Sequence, residues 1–134
     1  MRAVLSARRL TPVLSARRLR VDALELREAF AELRIVKDEA EVRLLQKASA
    51  ATAAGHLAAM RAARPGMWEY QVQAEMEAVF RAQGCPETGY DSIVAGGRNA
   101  AVLHYHHNHD RLRPGDLLLI DAGAEYRGYS ADVT

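Results

Sequence analysis

The stretch LLLIDAGAEYRGYSADVT, residues 117–134, constrains this chain more than any other. Leu117, Leu118, Leu119 and Ile120 form an apolar run that reads as a strand buried on both faces. The run leads straight into Asp121, and Asp132 follows eleven positions later. An ionised carboxylate in such a strand is costly unless it is paired or bound to a cation. If Tyr126-Arg127 is a two-residue hairpin loop, Asp121 faces Asp132, with Cβ atoms about 4.5–5.5 Å apart. A three-residue loop that includes Gly128 moves the register by one, and a bulge or twist is then needed to realign the pair. Like charges facing each other destabilise a sheet, whereas a divalent cation turns them into a ligand set. At this point a second reading stays open: one aspartate is merely a turn or cap residue at the sheet edge.

Upstream of residue 86 the pattern is helical. Asp22 caps a short helix through Leu33, with Leu26, Phe30 and Leu33 on one face. Asp38 opens a longer one, with Glu41 three residues on as in a capping box. Val42, Leu45, Ser49, Thr52, His56 and Met60 follow at helical spacing, and Pro65-Gly66 ends the run. A further helix is expected over 69–82, with Val72, Met76, Val79 and Phe80 as its apolar face. Gly84 and Pro86 stop it. Strands are then expected at 92–95, 100–105 and 117–122, with a last one beginning near Tyr129. Gly96-Gly97 and Pro114-Gly115 punctuate them. The order predicts an α+β domain: two to three helices covering one face of a mostly antiparallel sheet.

The length of 134 residues suits one ordinary domain. The formal net charge of +1 gives no indication of a nucleic-acid or membrane surface. It conceals an asymmetry, since residues 1–20 hold six arginines and no acid, leaving 12 basic and 17 acidic side chains in the rest. That basic stretch superficially resembles an organelle transit peptide, the weaker reading. It also contains VLSARRL twice, at 4–10 and 13–19, an offset too short for a solenoid repeat. A local duplication is the plain explanation, and a basic binding arm the alternative. The single cysteine, Cys85, excludes an intrachain disulfide and fits a reducing compartment. No run of about 18 apolar residues is present.

The segment LHYHHNH places His104, His106, His107 and His109 within six residues. Imidazole is a common zinc ligand, but this run has no helical framework to converge the rings on one ion. His106, His107 and His109 read as polar loop residues. His104 closes the apolar run 100–103 and is placed at the edge of the core, as a cleft histidine able to donate a hydrogen bond.

Taken together, LRIVKDEAEVRLLQKAS, RPGMWEYQVQAEMEAVFRAQG, YDSIVAGGRNAAVLHYHHN and LRPGDLLLIDAGAEYRGYSADVT resemble the pita-bread metallopeptidases, in the Xaa-Pro aminopeptidase (aminopeptidase P) and prolidase branch. The resemblance runs in order over residues 34–134. It implies half of a pita-bread fold, the N-terminal half of a catalytic domain. Residues 1–33 are then a basic stub with a helical linker, and the domain is read as truncated before its second half. By position, Asp121 matches an aspartate that binds one ion of a two-metal centre, and Asp132 matches the aspartate that bridges both ions. His104 matches the histidine beside the metals that contacts substrate. The implied cofactors are two divalent ions, manganese first, with cobalt or zinc as substitutes. The implied activity is removal of an N-terminal residue preceding proline, with a prolidase or a non-catalytic peptide-binding module as alternatives. The expected partner is a peptide with proline in second position, not nucleic acid or membrane. A cytoplasmic location and a homo-oligomeric full-length protein complete the expectation.

Overall fold

The computed structural model describes residues 23–134, with side chains from residue 26 onward. The expected Asp22 cap, the arginine-rich stretch and the VLSARRL repeat lie outside the described residues. The chain divides into two compact units, the first ending at Asp38 and the second spanning Glu39–Thr134. In the first, helix α1 (Ala23–Ile35) leaves Leu26 and Leu33 exposed and Phe30 half-buried.

The second unit begins with α2 (Glu39–Ala62), whose first turn carries Glu39 and Glu41, the charge sign that a helix N-terminus favours. Arg64 caps the other end by donating to the Arg61 and Ala62 carbonyls. Helix α3 (Glu69–Ala82) starts where the Trp68 N–H donates to the Gln71 side chain at 2.9 Å. The buried stripe of α2 is Ala48, Ala51, Thr52, Gly55, His56 and Ala59. This corrects the expected face, because Val42, Ser49 and Met60 are exposed. The contact is too close for large side chains: a Cβ on Gly55 would lie 2.2 Å from the Phe80 ring. Val72, Met76 and Phe80 fill the interior from α3, each contributing about 1.5–3 kcal/mol by burial.

Among the described residues the strands pair antiparallel in two small sheets rather than one. Strand β4 (Ala124–Tyr126) lies between β1 (Glu87–Thr88) and β5 (Tyr129–Ser130), while β2 (Ile93–Gly96) pairs with β3 (Leu118–Asp121). The strand expected at 100–105 is absent. Residues Gly97–Ala101 form a 3-10 helix, and a turn follows in which Val102, Leu103 and His104 are exposed. His104 is therefore not at the edge of the core. Side-chain anchors on this segment, described below, outweigh its local preference for strand.

The hairpin register also differs from expectation. The loop is Arg127-Gly128, with φ of 53° and 85°, so both residues are left-handed as a two-residue hairpin turn requires. Tyr126 therefore pairs with Tyr129 and Glu125 with Ser130. The same register continues to the bridge between Ala122 and Val133. It sets Gly123 against Asp132, where a Cβ would sit 1.7 Å from the Ala131 carbonyl oxygen, so only glycine fits. Asp121 and Asp132 are thus diagonal neighbours rather than directly opposed. A shift of two residues preserves parity, so both side chains stay on one face.

Candidate active site

Two residues of α2 fix the segment that directly follows Asp121, between β3 and β4. The Thr52 hydroxyl accepts the Ala124 N–H at 2.8 Å and donates to the Ala48 carbonyl at 2.9 Å. A ring nitrogen of buried His56, Nε2, lies 3.2 Å from the Ala122 carbonyl and donates to it. Four helical residues rise about 6 Å and two strand residues advance about 6.6 Å. The Thr52/His56 pair therefore matches Ala122/Ala124 in spacing and clamps the chain on both sides of Gly123.

Asp121, half-buried, and Asp132, exposed, converge on a residue that sequence reasoning missed. The Tyr90 hydroxyl lies 2.5 Å from Asp121 Oδ1 and 3.0 Å from Asp132 Oδ1. Its single proton is shared between two acceptors, so the nearer oxygens of the two carboxylates are under about 6 Å apart. Burial, then the hydrogen bonds to Asp121 and Asp132, then their negative charge push the Tyr90 phenol well above the usual tyrosine range. It remains a donor at physiological pH. These three residues line a cavity of about 420 Å³ together with Asp91, Ile93, His104 and His106. The structure thus brings His104 to the same cavity as both aspartates, and His106 with it.

His104 has φ of 53° and Asn108 has φ of 47°. A left-handed backbone at a non-glycine residue costs about 1–2 kcal/mol and must be imposed by neighbours. Asn108 is buried; it accepts the Val94 N–H and donates to the Ser92 carbonyl and the Gln73 side chain. It serves β2 as a substitute strand partner. Buried Glu69 accepts from Gly96 N, Asn99 Nδ2, Tyr105 OH and Asp110 N. Neither Tyr90 nor Glu69 stands out in the sequence, because their roles depend on partners 31 to 42 and 27 to 41 residues away. Cys85 is buried, and that burial pushes its thiol up despite the opposing charge of Lys47, which leaves it a core residue.

The donor chemistry fits a divalent cation in part. Two carboxylates aimed at one point suit a hard ion. Among the described residues no group of three or more His, Cys, Asp or Glu is arranged as a metal site. His107 and His109 make ring contacts instead, His107 with Tyr105 and His106, and His109 with Trp68 and Tyr70.

A helix pair thus packs on short antiparallel strands, and two carboxylates and a histidine meet at one cavity. Residues 43–134 match the model of metallopeptidase family M24, and the chain belongs to that family. It is 42% identical over 113 residues to a Xaa-Pro aminopeptidase of Haemophilus influenzae, covering 84% of this chain and 26% of the relative. It is 40% identical over 111 residues to the Escherichia coli Xaa-Pro aminopeptidase, covering 83% and 25%. Among solved structures, proline aminopeptidase P II from Yersinia pestis superposes with a TM-score of 0.78 at 44% identity, covering 79% of this chain and 24% of that one. Zinc-substituted E. coli aminopeptidase P in complex with product gives 0.73 at 42%, covering 75% and 23%. The fold is that of part of an aminopeptidase P, the pita-bread architecture. The chain spans about a quarter of the length of these relatives.

Proposed function

We infer that this chain supplies one wall of a metal-dependent Xaa-Pro aminopeptidase site. The observation that carries this reading is the convergence of Asp121 and Asp132 on one phenol, beside His104 in one cavity. In this reading Asp121 and Asp132 hold two divalent ions, manganese first, with cobalt or zinc as substitutes. Such ions, when bound, supply Lewis acidity and activate a water for attack on a peptide carbonyl. Tyr90 keeps the two carboxylates together by hydrogen bonding. His104, exposed at the cavity, donates a hydrogen bond to the charge that develops on the carbonyl oxygen. The substrate is a peptide with proline in second position. A prolidase would use the same residues. A non-catalytic module is disfavoured, because such a role gives no reason to keep two mutually repelling carboxylates aimed at one point.

The proposed location is the cytoplasm, on the ground that the single cysteine, Cys85, is a free buried thiol, which fits a reducing compartment. The full-length protein is read as a homo-oligomer, without nucleic-acid or membrane partners.

Two protein ligands bind a divalent ion weakly, since affinity follows ligand number and rigidity. The purified chain with excess Mn²⁺ is therefore expected to leave a fluorogenic Xaa-Pro peptide uncleaved. Mixing it with the remaining catalytic half of an aminopeptidase P relative restores cleavage, and Asp132→Ala in this chain abolishes that. Cleavage that survives Asp132→Ala, or a stable complex of the halves that never cleaves, contradicts the reading.

A further inference from the structure

We propose that Glu69 is a positioning residue for His104: its buried carboxylate holds the loop that presents this imidazole to the aspartate cavity. Glu69 opens α3 and is fully buried. Its Oε1 accepts from Gly96 N at 2.7 Å and Asn99 Nδ2 at 3.0 Å, and its Oε2 from Tyr105 OH at 2.8 Å and Asp110 N at 2.9 Å. Its own N–H donates to the Asp110 carbonyl at 3.0 Å. One side chain therefore fastens both ends of the segment 96–110 and its middle, at Tyr105.

The segment needs such a fastening. Val102 and Leu103 are 54% and 85% exposed, so no core packing restrains the residues before His104. His104 nevertheless has a left-handed backbone, which persists only where its surroundings dictate it. The residue that follows, Tyr105, reaches Glu69 through its hydroxyl, and Asn99 and the His109 N–H meet the same hydroxyl. All four partners of the Glu69 side chain are donors, which two acceptor oxygens satisfy and an amide does not. A glutamine would turn an NH₂ group toward two of them.

The network makes no hydrogen bond to Asp121 or Asp132; its Gly96 contact lies in β2, which pairs with the Asp121 strand, while Thr52 and His56 hold the segment after Asp121. Three of the four carboxylate contacts, to Asn99, Tyr105 and Asp110, lie on the segment that carries His104, so Glu69 acts mainly on the histidine side of the cavity. This deepens the function proposed above, because the purpose assigned to His104 comes from that reading. The test measures loop order without turnover, so the two can fail separately.

The experiment is amide hydrogen exchange and backbone relaxation by NMR on the 134-residue chain, comparing wild type with Glu69→Gln and Tyr105→Phe. In Glu69→Gln, exchange at Gly96 and Asp110 is expected to rise at least tenfold, and the His104 order parameter to fall below about 0.6, the flexible range. Ala124, Met76 and Phe80 keep their wild-type protection. In Tyr105→Phe, His104 loosens while Gly96 stays protected. An unchanged His104 order parameter in both variants overturns the proposal. If Glu69→Gln loses protection throughout, Tyr105→Phe decides: a His104 that loosens alone supports the proposal, and one that stays ordered overturns it.

Discussion

The two sides of the candidate cavity are built by opposite means. On one side, Asp121 ends β3, and the segment after it is held against α2 by Thr52 and His56. On the other, His104 sits on an exposed turn with almost no apolar support, held from beneath by the polar contacts of Glu69 and Asn108. Close packing tolerates almost no change of volume, while the hydrogen-bonded loop tolerates changes of volume but not of donor pattern. A side chain that must stay within an ångström or so of a reacting centre gains from the first construction. One that must approach a substrate gains from the second.

This contrast is broken most severely at Gly123. Gly123→Ala sets a methyl group against the Ala131 carbonyl oxygen, and a backbone atom cannot turn aside. Urea unfolding is expected to show a loss of about 3 kcal/mol or more, at or beyond the upper end of ordinary overpacking. Gly55→Ala comes next. Its methyl meets the Phe80 ring, which can shift, so a loss of about 1–3 kcal/mol is expected, and Phe80→Leu in the same chain should recover part of it. Thr52→Val keeps the volume but strands the Ala124 N–H, and should cost about 1–2 kcal/mol. On the loop side, Leu103→Ser should change stability by no more than about 0.5 kcal/mol. A Leu103→Ser effect as large as that of Gly55→Ala would erase the contrast.

A pH titration sharpens the same comparison. Burial, followed by the hydrogen bond to Glu69, raises the Tyr105 phenol above the ordinary value near 10. The folded state therefore keeps a proton that the unfolded chain gives up. The stabilisation is complete below about pH 10 and falls as pH rises toward the folded value. Unfolding followed between pH 9 and 12 should show a steeper alkaline loss in wild type than in Tyr105→Phe, whereas equal slopes would contradict the buried contact.

How far the sequence foretold this arrangement differs along the chain. The bounds of α3 were legible because Pro65-Gly66 and Gly84 punctuate an ordinary amphipathic period. The buried stripe of α2 was not, since alanine and glycine carry little hydrophobic signal and the larger Val42 and Met60 drew the eye to the wrong face. The aspartate pair was visible as carboxylates in strand-like surroundings. Its register was not, because Arg127 takes a left-handed turn position that nothing in its type announces. Residues 100–105 read as a strand from local composition, and distant polar anchors folded them otherwise. Tyr90 and Glu69 stayed hidden for the same reason: each is defined by partners far along the chain.

The central claim is that Asp121 and Asp132 act as one divalent-cation site, and Mn²⁺ titration followed by electron paramagnetic resonance tests it most directly. Wild type should bind weakly. Asp121→Asn and Asp132→Asn should each lower affinity about tenfold or more, and the double variant should lose little beyond either one, as expected for residues that act as a unit. His104→Ala should leave binding nearly unchanged. Mn²⁺ affinity that is unaffected by either aspartate variant, or that depends instead on the histidines, would contradict the account.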